Sequence, residues 1–343
     1  MAKVSAKRII LIVLLVIVVP GLIGTYAILW LPNTFEGDRF IIVSKGENFQ
    51  QVMDSLQREG IVRSRLLFDA AGRWLKLTTR MQIGKYRFTS GMSNTDILED
   101  LRFGKTIETI TIVIPEGTKA SRQARIFSKG LGVDSARFMM LVRDTNFIHS
   151  VGIQAPSLEG YLMPDTYKLY WQMDEEDIIK SLVAEFQRVF NDTLKDSMLS
   201  TGMSLNEILT VASIVEGETS VDSERAVIAG VYFNRLRKGM RLEADPTIQY
   251  ILEGGPRRLH YSDLQLESAY NTYRHVGLPP GPINNPGKAS ILAALRPKRH
   301  NFLFFVANGA GGHTFTRNFA AHKRAILHLR KVKEEQEAAK VAG

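Results

Sequence analysis

Two glutamates and a threonine, Glu216, Glu218 and Thr219, stand together between two helical patterns in the stretch 204–246. Ser204 followed by Glu207 is a capping box, so a helix should begin there. Leu205, Ile208, Leu209, Val211, Ala212 and Val215 then recur at helical spacing. Gly217 is expected to stop this helix. Asp222 or Ser223 is expected to cap a second one, with Val227, Ile228, Val231, Tyr232 and Leu236 on its inner face. Carboxyls at a seam between two core-forming helices lose hydration, which raises their pKa. A carboxyl that holds a proton near neutrality is equipped to be a general acid. Periodicity alone leaves open the plainer alternative, that both glutamates face water. Two positions apart on a helix they point roughly 200° from each other, so spacing does not choose between them.

Other chemistries find little support. The 343 residues contain no cysteine, which excludes a catalytic thiol, a disulfide and a thiolate metal site. His260, His275, His300, His313 and His322 form no i,i+4 pair, so no metal motif is expected; His313, within GGHTF, is kept only as a residue of a possible cleft. No nucleophile elbow and no phosphate-binding glycine loop are present, and Ser213 has no base spaced to activate it. No cofactor is expected. The formal charge is +9, but the basic residues are scattered, with small clusters at each end and no aromatic interleaving. The charge alone would suggest a nucleic-acid binder, but a basic exterior equally suits an anionic polymer or an anionic membrane surface, and the outward topology implied by residues 1–31 argues against nucleic acid.

The chain falls into successive parts. Residues 1–8 carry Lys3, Lys7 and Arg8, and residues 9–31 hold no charge at all. A run of that length spans a bilayer as a helix, and Tyr26 and Trp30 are placed as interfacial anchors. The basic residues before it put the N-terminus in the cytoplasm and the remainder outside, in the periplasm or its extracytoplasmic equivalent. A cleavable signal peptide is the rival, but Thr25–Ala27 is a poor cleavage site.

Residues 39–105 read as a small α+β module in which strand, turn and helix occur twice: strand, Lys45-Gly46, helix, then strand 85–88, Gly91 and a helix from Asn94 or Thr95. Residues 109–129 are a third copy. Residues 106–335 form a mixed α+β domain, and 336–343 a frayed polar tail. Within that domain 156–170 is an ordered loop where Glu159 and Asp165 sit among Tyr161, Tyr167 and Tyr170, as in the wall of a saccharide cleft. Asp245-Pro246 opens a short helix, 278–282 is a proline-stiffened loop, 290–295 a helix and 302–309 a buried strand.

Several segments taken together resemble one family. They are EGYLMPDTY (159–167), ASIVEGET (212–219), SER (223–225), NRLRKGMRLEADPTIQY (234–250), AYNTYRHVGLPPGPINNPG (269–287) and FFVANGAGGHTF (304–315). They are similar to the YceG-like family of membrane-bound endolytic murein transglycosylases, the MltG type, along nearly the whole chain. Met163 stands where that family often has Phe or Trp, and keeps the site apolar. The resemblance implies a transmembrane anchor, a small LysM-like α/β module and a catalytic domain with a substrate cleft. It implies an inner-membrane lyase that cuts the β-1,4 bond from N-acetylmuramic acid to N-acetylglucosamine in nascent peptidoglycan. The product is a 1,6-anhydro end, and the cut ends strand elongation.

The E-x-E-T signature places the family's catalytic glutamate on Glu218, with Glu216 and Thr219 in support. Polar residues of the matching motifs are then expected along the glycan: Glu159, Asp165, Asn234, Arg235, Asp245, Gln249, Tyr250, Asn271, Tyr273 and Asn285. Peptidoglycan strands are the implied partner, and the strand-synthesising enzymes a further one. Two alternatives stay open, a non-catalytic murein-binding scaffold and a murein hydrolase.

Overall fold

A computed structural model describes residues 14–76, 81–190, 192–199 and 201–342. The chain divides into two compact units. One holds the described residues up to Thr111 with Gly130–Val133 and Lys168–Met173; the other holds Ile112–Lys129, Asp134–Tyr167 and the chain from Asp174 onward.

The first unit begins with a π-helical turn, Leu14–Val18, continuing into α1 (Val19–Leu29). Then come β1 (Arg39–Val43), α2 (Phe49–Arg58), α3 (Arg65–Trp74), β2 (Gly84–Phe88) and α4 (Asn94–Phe103). β1 and β2 pair antiparallel with Ile41 opposite Tyr86. The strand–turn–helix phrase is thus real twice over. Both helices start in capping boxes, Asn48 with Gln51 and Ser93 with Asp96. Val52, Met53 and Leu56 of α2, Phe68 of α3, Ile97 and Leu101 of α4, and Tyr86 and Phe88 of β2 make one core. α1 is tied to α4, where Asn94 donates to the Ile28 carbonyl (2.8 Å) and Thr95 to that of Leu29 (2.9 Å). Its Leu22, Ile23 and Tyr26, and Trp30 just after it, stay largely exposed. The expected span 9–31 lies in part outside the described residues. Among the described residues no helix is long and apolar enough to cross a membrane.

β3 (Thr109–Val113), α5 (Ala120–Leu131) and β4 (Thr166–Tyr170) are where the chain passes between units; β3 and α5 complete the third strand–turn–helix copy. The second unit adds α6 (Ser135–Leu141), α7 (Thr145–Ser150), α8 (Glu175–Val189), α9 (Asp192–Leu199), α10 (Leu205–Glu218), α11 (Asp222–Arg237), α12 (Asp245–Ile251) and α13 (Lys288–Leu295). β5 (Phe304–Ala307) and β6 (His313–Thr316) form an antiparallel hairpin with Ala307 opposite His313, and α14 (Phe319–Ala342) follows.

α10 is the axis of this unit. It starts at Ser204 in the expected capping box with Glu207. Every residue from Ile208 to Val215 is buried, so the helix is not a surface amphipath but a central rod, packed by α11, α12 and α13.

Four expectations change. Gly217 lies inside α10 and does not stop it; a Cβ there would sit 2.6 Å from Cβ of Pro246, so the glycine admits α12. α11 has Val221 at its N-cap and no side-chain cap. Asp222 instead takes Arg225 Nε at 3.0 Å. The strand expected at 302–309 is shorter and only half-buried along most of its length, because one hairpin has too few partners to cover it. The residues expected to fray are helical to Ala342, as the last turns of α14.

Candidate active site

Glu218 closes the last turn of α10, and Tyr232 comes from the third turn of α11. Their helices pack together, and the Tyr232 hydroxyl donates to Glu218 Oε1 at 2.5 Å. Both border a cavity of about 340 Å³. Its walls also include Arg235 from α11, Glu243 and Asp245 ahead of and within α12, Tyr273, Phe305 and His313 from the hairpin, and His322 from α14.

Burial pushes the Glu218 carboxyl up to about 7. The Tyr232 hydrogen bond pulls the other way, the Asp245 charge adds to the rise, and the Arg235 charge opposes it. Burial, and then Glu218 itself, pushes the Tyr232 phenol well above its ordinary range, so Tyr232 remains a donor. Burial and a bond to Asp245 likewise raise Tyr273, whose hydroxyl donates to Asp245 Oδ1 at 2.5 Å. Arg235 is fixed by the carbonyls of Leu303 (2.7 Å), Arg241 (3.0 Å) and Leu242 (2.8 Å) and by Glu243 (3.0 Å).

The geometry separates the two glutamates of the signature. Glu216 turns away from the cavity into a buried pair with Arg225 (3.2 Å) and accepts the Gly287 N–H (3.0 Å) at the start of α13. Arg225 also donates to Ser290 of α13 at 2.6 Å. Glu216 thus clamps α10 to α13. Thr219 Oγ1 accepts the Val221 N–H at 3.0 Å and shapes the turn between α10 and α11. Both hold Glu218 in position without facing the cavity.

Among the residues expected along a glycan, the cavity brings together Arg235, Asp245 and Tyr273. The others lie apart from it, most with their polar atoms used by the fold. Asn285, fully buried, accepts from the Gly160 and Leu162 N–H groups and donates to the Thr118 carbonyl and to Glu159. Glu159 also accepts the Ala120 N–H, and burial raises its carboxyl to about 7. Asn271 donates to the carbonyls of Leu264 and Leu266, and Asn234 to those of His300 and Phe302. Gln249 closes a loop onto the Arg257 backbone. Tyr250 packs on Tyr270, with Lys119 over its ring. Asp165 is exposed and caps Thr166.

Tyr232, Glu243 and His322 escaped sequence reasoning. Tyr232 read as core, although a phenol on an otherwise aliphatic helix face always needs a partner. His313 does reach the cavity, held by Glu224 through both its ring Nδ1 (2.6 Å) and its backbone N–H (2.8 Å). A larger cavity of about 1000 Å³ lies elsewhere, bordered by Asn206, Phe233, Arg237 and Pro279. Its one carboxylate, Glu207, is engaged in the α10 capping box. Among the described residues no group of three or more metal-ligating side chains converges.

Comparison with known proteins decides the family. The profile of the YceG-like family matches residues 41–328. The chain belongs to the YceG-like family. A relative from Bacillus subtilis named endolytic murein transglycosylase is 30% identical over 300 residues, covering 83% of each chain. A relative of the same name from Streptococcus pneumoniae is 28% identical over 341 residues, and this chain spans 61% of its length. The crystal structure of a YceG-like protein from Listeria monocytogenes superposes with a TM-score of 0.59 at 29% identity, covering 84% of this chain and 99% of that one. In this member of the YceG-like family the Glu218 cavity joins residues from four of the shared motifs, 212–219, 234–250, 269–287 and 304–315.

Proposed function

We propose that this chain is an endolytic murein transglycosylase with Glu218 as its acid and base. The observation that carries the reading is the half-buried Glu218 on the cavity wall, its Oε1 taking the Tyr232 hydroxyl at 2.5 Å and its carboxyl pushed up to about 7 by desolvation. Glu218 starts protonated and gives its proton to the glycosidic O4 as the C1–O4 bond breaks. The muramyl C6 hydroxyl then attacks C1, and its proton passes to the Glu218 carboxylate, which restores the enzyme. Because the nucleophile is tethered to the same sugar, proximity replaces the activation of water.

Asp245 supports a second reading. It is another carboxylate in the same cavity, and hydrolases use a pair. Its Oδ1 is engaged by Tyr273, and its charge raises Glu218, which fits a role in setting the acid rather than in activating water. Incubation with uncrosslinked glycan separates the two by mass: anhydro ends identify the transglycosylase, reducing ends the hydrolase. Glu218→Gln should yield neither product; normal turnover by that variant refutes the assignment.

The surroundings of the reaction belong to the same proposal. Residues 9–31 anchor the chain in the inner membrane with the N-terminus in the cytoplasm, so that the cut falls at a set height on nascent strands near their synthases. The uncharged run and the exposed apolar side chains of α1 support this. The paired β–turn–helix units serve as a LysM-like wall-binding module. Carbonate extraction and protease protection test the anchor; sacculus pull-down with the Glu218→Gln chain tests the module.

A further inference from the structure

A second cavity, of about 460 Å³, shares two wall residues, Glu243 and Tyr273, with the Glu218 cavity. The bond-breaking step makes no use of it. Beyond the shared wall stand Arg241, Tyr261 and Arg274.

Four features mark this space as built for a ligand. Tyr261 is 81% exposed, the highest value among the described exposed large apolar residues, and it stands on the wall of this cavity, where its ring is free to stack on a ligand. The Arg241 guanidinium has no hydrogen bond or ion pair among the described residues, whereas its own carbonyl is tied to Arg235. Arg274 is held in place by the Gln265 carbonyl (2.9 Å) and by the exposed Glu267 (2.5 Å), which leaves part of its fork open. The dividing residue, Glu243, has a left-handed backbone at φ +50°. That conformation is strained for a non-glycine residue. It is maintained by a backbone bond to the Thr272 carbonyl (3.2 Å) and by the pair with Arg235. Strain kept at a residue between two cavities points to a positional requirement.

The sugar backbone of a murein strand carries no charge. Its anions are the carboxylates of the peptides attached to alternate sugars. Glu243 is paired with Arg235 and Arg274 with Glu267, so the uncompensated charge of the second cavity is that of Arg241, and arginine suits carboxylates through its planar fork. We propose that the second cavity is a subsite for the peptide substituent next to the scissile bond, with Arg241 and Arg274 binding its carboxylates and Tyr261 packing on its apolar part. The enzyme then prefers peptide-bearing strands over bare glycan. This rests on the reading of Glu218 as the acid of a murein transglycosylase.

The test compares three uncrosslinked substrates for the full chain: strands with peptides, the same strands stripped of them, and strands whose peptide carboxylates are amidated. Expected is a kcat/KM at least about fivefold higher for the first than for the other two, the scale of one partly exposed ion pair. Arg241→Gln should shrink that ratio, since its side chain holds nothing in the fold; Tyr261→Ala should do so as well. A misfolded variant lowers all three rates together and leaves the ratio alone. Equal rates in the wild type, a preference that survives amidation, or one that survives Arg241→Gln overturns the subsite. Anhydro products without preference sink only this inference, whereas their absence from every substrate sinks the catalytic assignment along with it.

Discussion

Replacing Glu218 by glutamine should stabilise the protein while destroying its activity, and the pH dependence of that gain can be worked out. The folded carboxyl titrates at about 7 against an ordinary 4.5. At about 1.4 kcal/mol per pKa unit, the difference is worth about 3 kcal/mol. The sign follows from the direction. With its pKa raised, the folded chain holds the proton more tightly than the unfolded chain does. Its contribution is therefore full below 4.5 and lost as the pH rises through about 7. Above that, an ionised Glu218 is a desolvated charge that only Tyr232 and Arg235 offset. Glutamine does not titrate, yet its carbonyl still accepts the Tyr232 hydroxyl. Glu159, also raised to about 7, is present in both chains and cancels. The stability of Glu218→Gln relative to wild type should climb by about 3 kcal/mol between about pH 4.5 and about pH 8. Urea unfolding followed by circular dichroism at several pH values measures this. A difference that stays flat across the range would show that the carboxyl is not desolvated, and the general-acid argument would go with it.

Three further substitutions probe the frame around that carboxyl. Tyr232→Phe removes the bond that favours the ionised Glu218, so the alkaline fall of kcat/KM, expected near pH 7 in wild type, should move to higher pH; an unmoved limb would contradict the contact. Arg225→Ala leaves Glu216 buried without its partner and should cost about 3–5 kcal/mol, measured by denaturant midpoint; a loss below about 1 kcal/mol would mean that the clamp on α13 carries little. Gly217→Ala places a methyl against Pro246 and should cost about 1–3 kcal/mol while lowering activity by displacing Asp245, so full activity would refute the role given to that close approach.

Local grammar is legible in the chain itself. Ser204 and Glu207 announce α10, Asp245-Pro246 announces α12, and the repeated strand–turn–helix phrase announces the elements of the first unit, because caps, turns and apolar spacing act over a few residues. Motif by motif, the family can be read as well. What the sequence leaves undecided is which way each polar side chain faces. Glu216 and Glu218 differ by about 200° of helix rotation. One is consumed by Arg225 and Gly287, and the other opens on the cavity. Asn285, Asn271 and Asn234 share motifs with Arg235 and Tyr273, but their amides are spent on backbone groups, nearby for Asn271 and in distant segments for Asn285 and Asn234. Gly217 reads as a stop until Pro246 is seen lying against it. Tertiary packing alone decides these points, because a polar group serves the fold or the substrate according to which partner reaches it. Such partners can lie far away along the chain, as Thr118 lies 167 residues from Asn285.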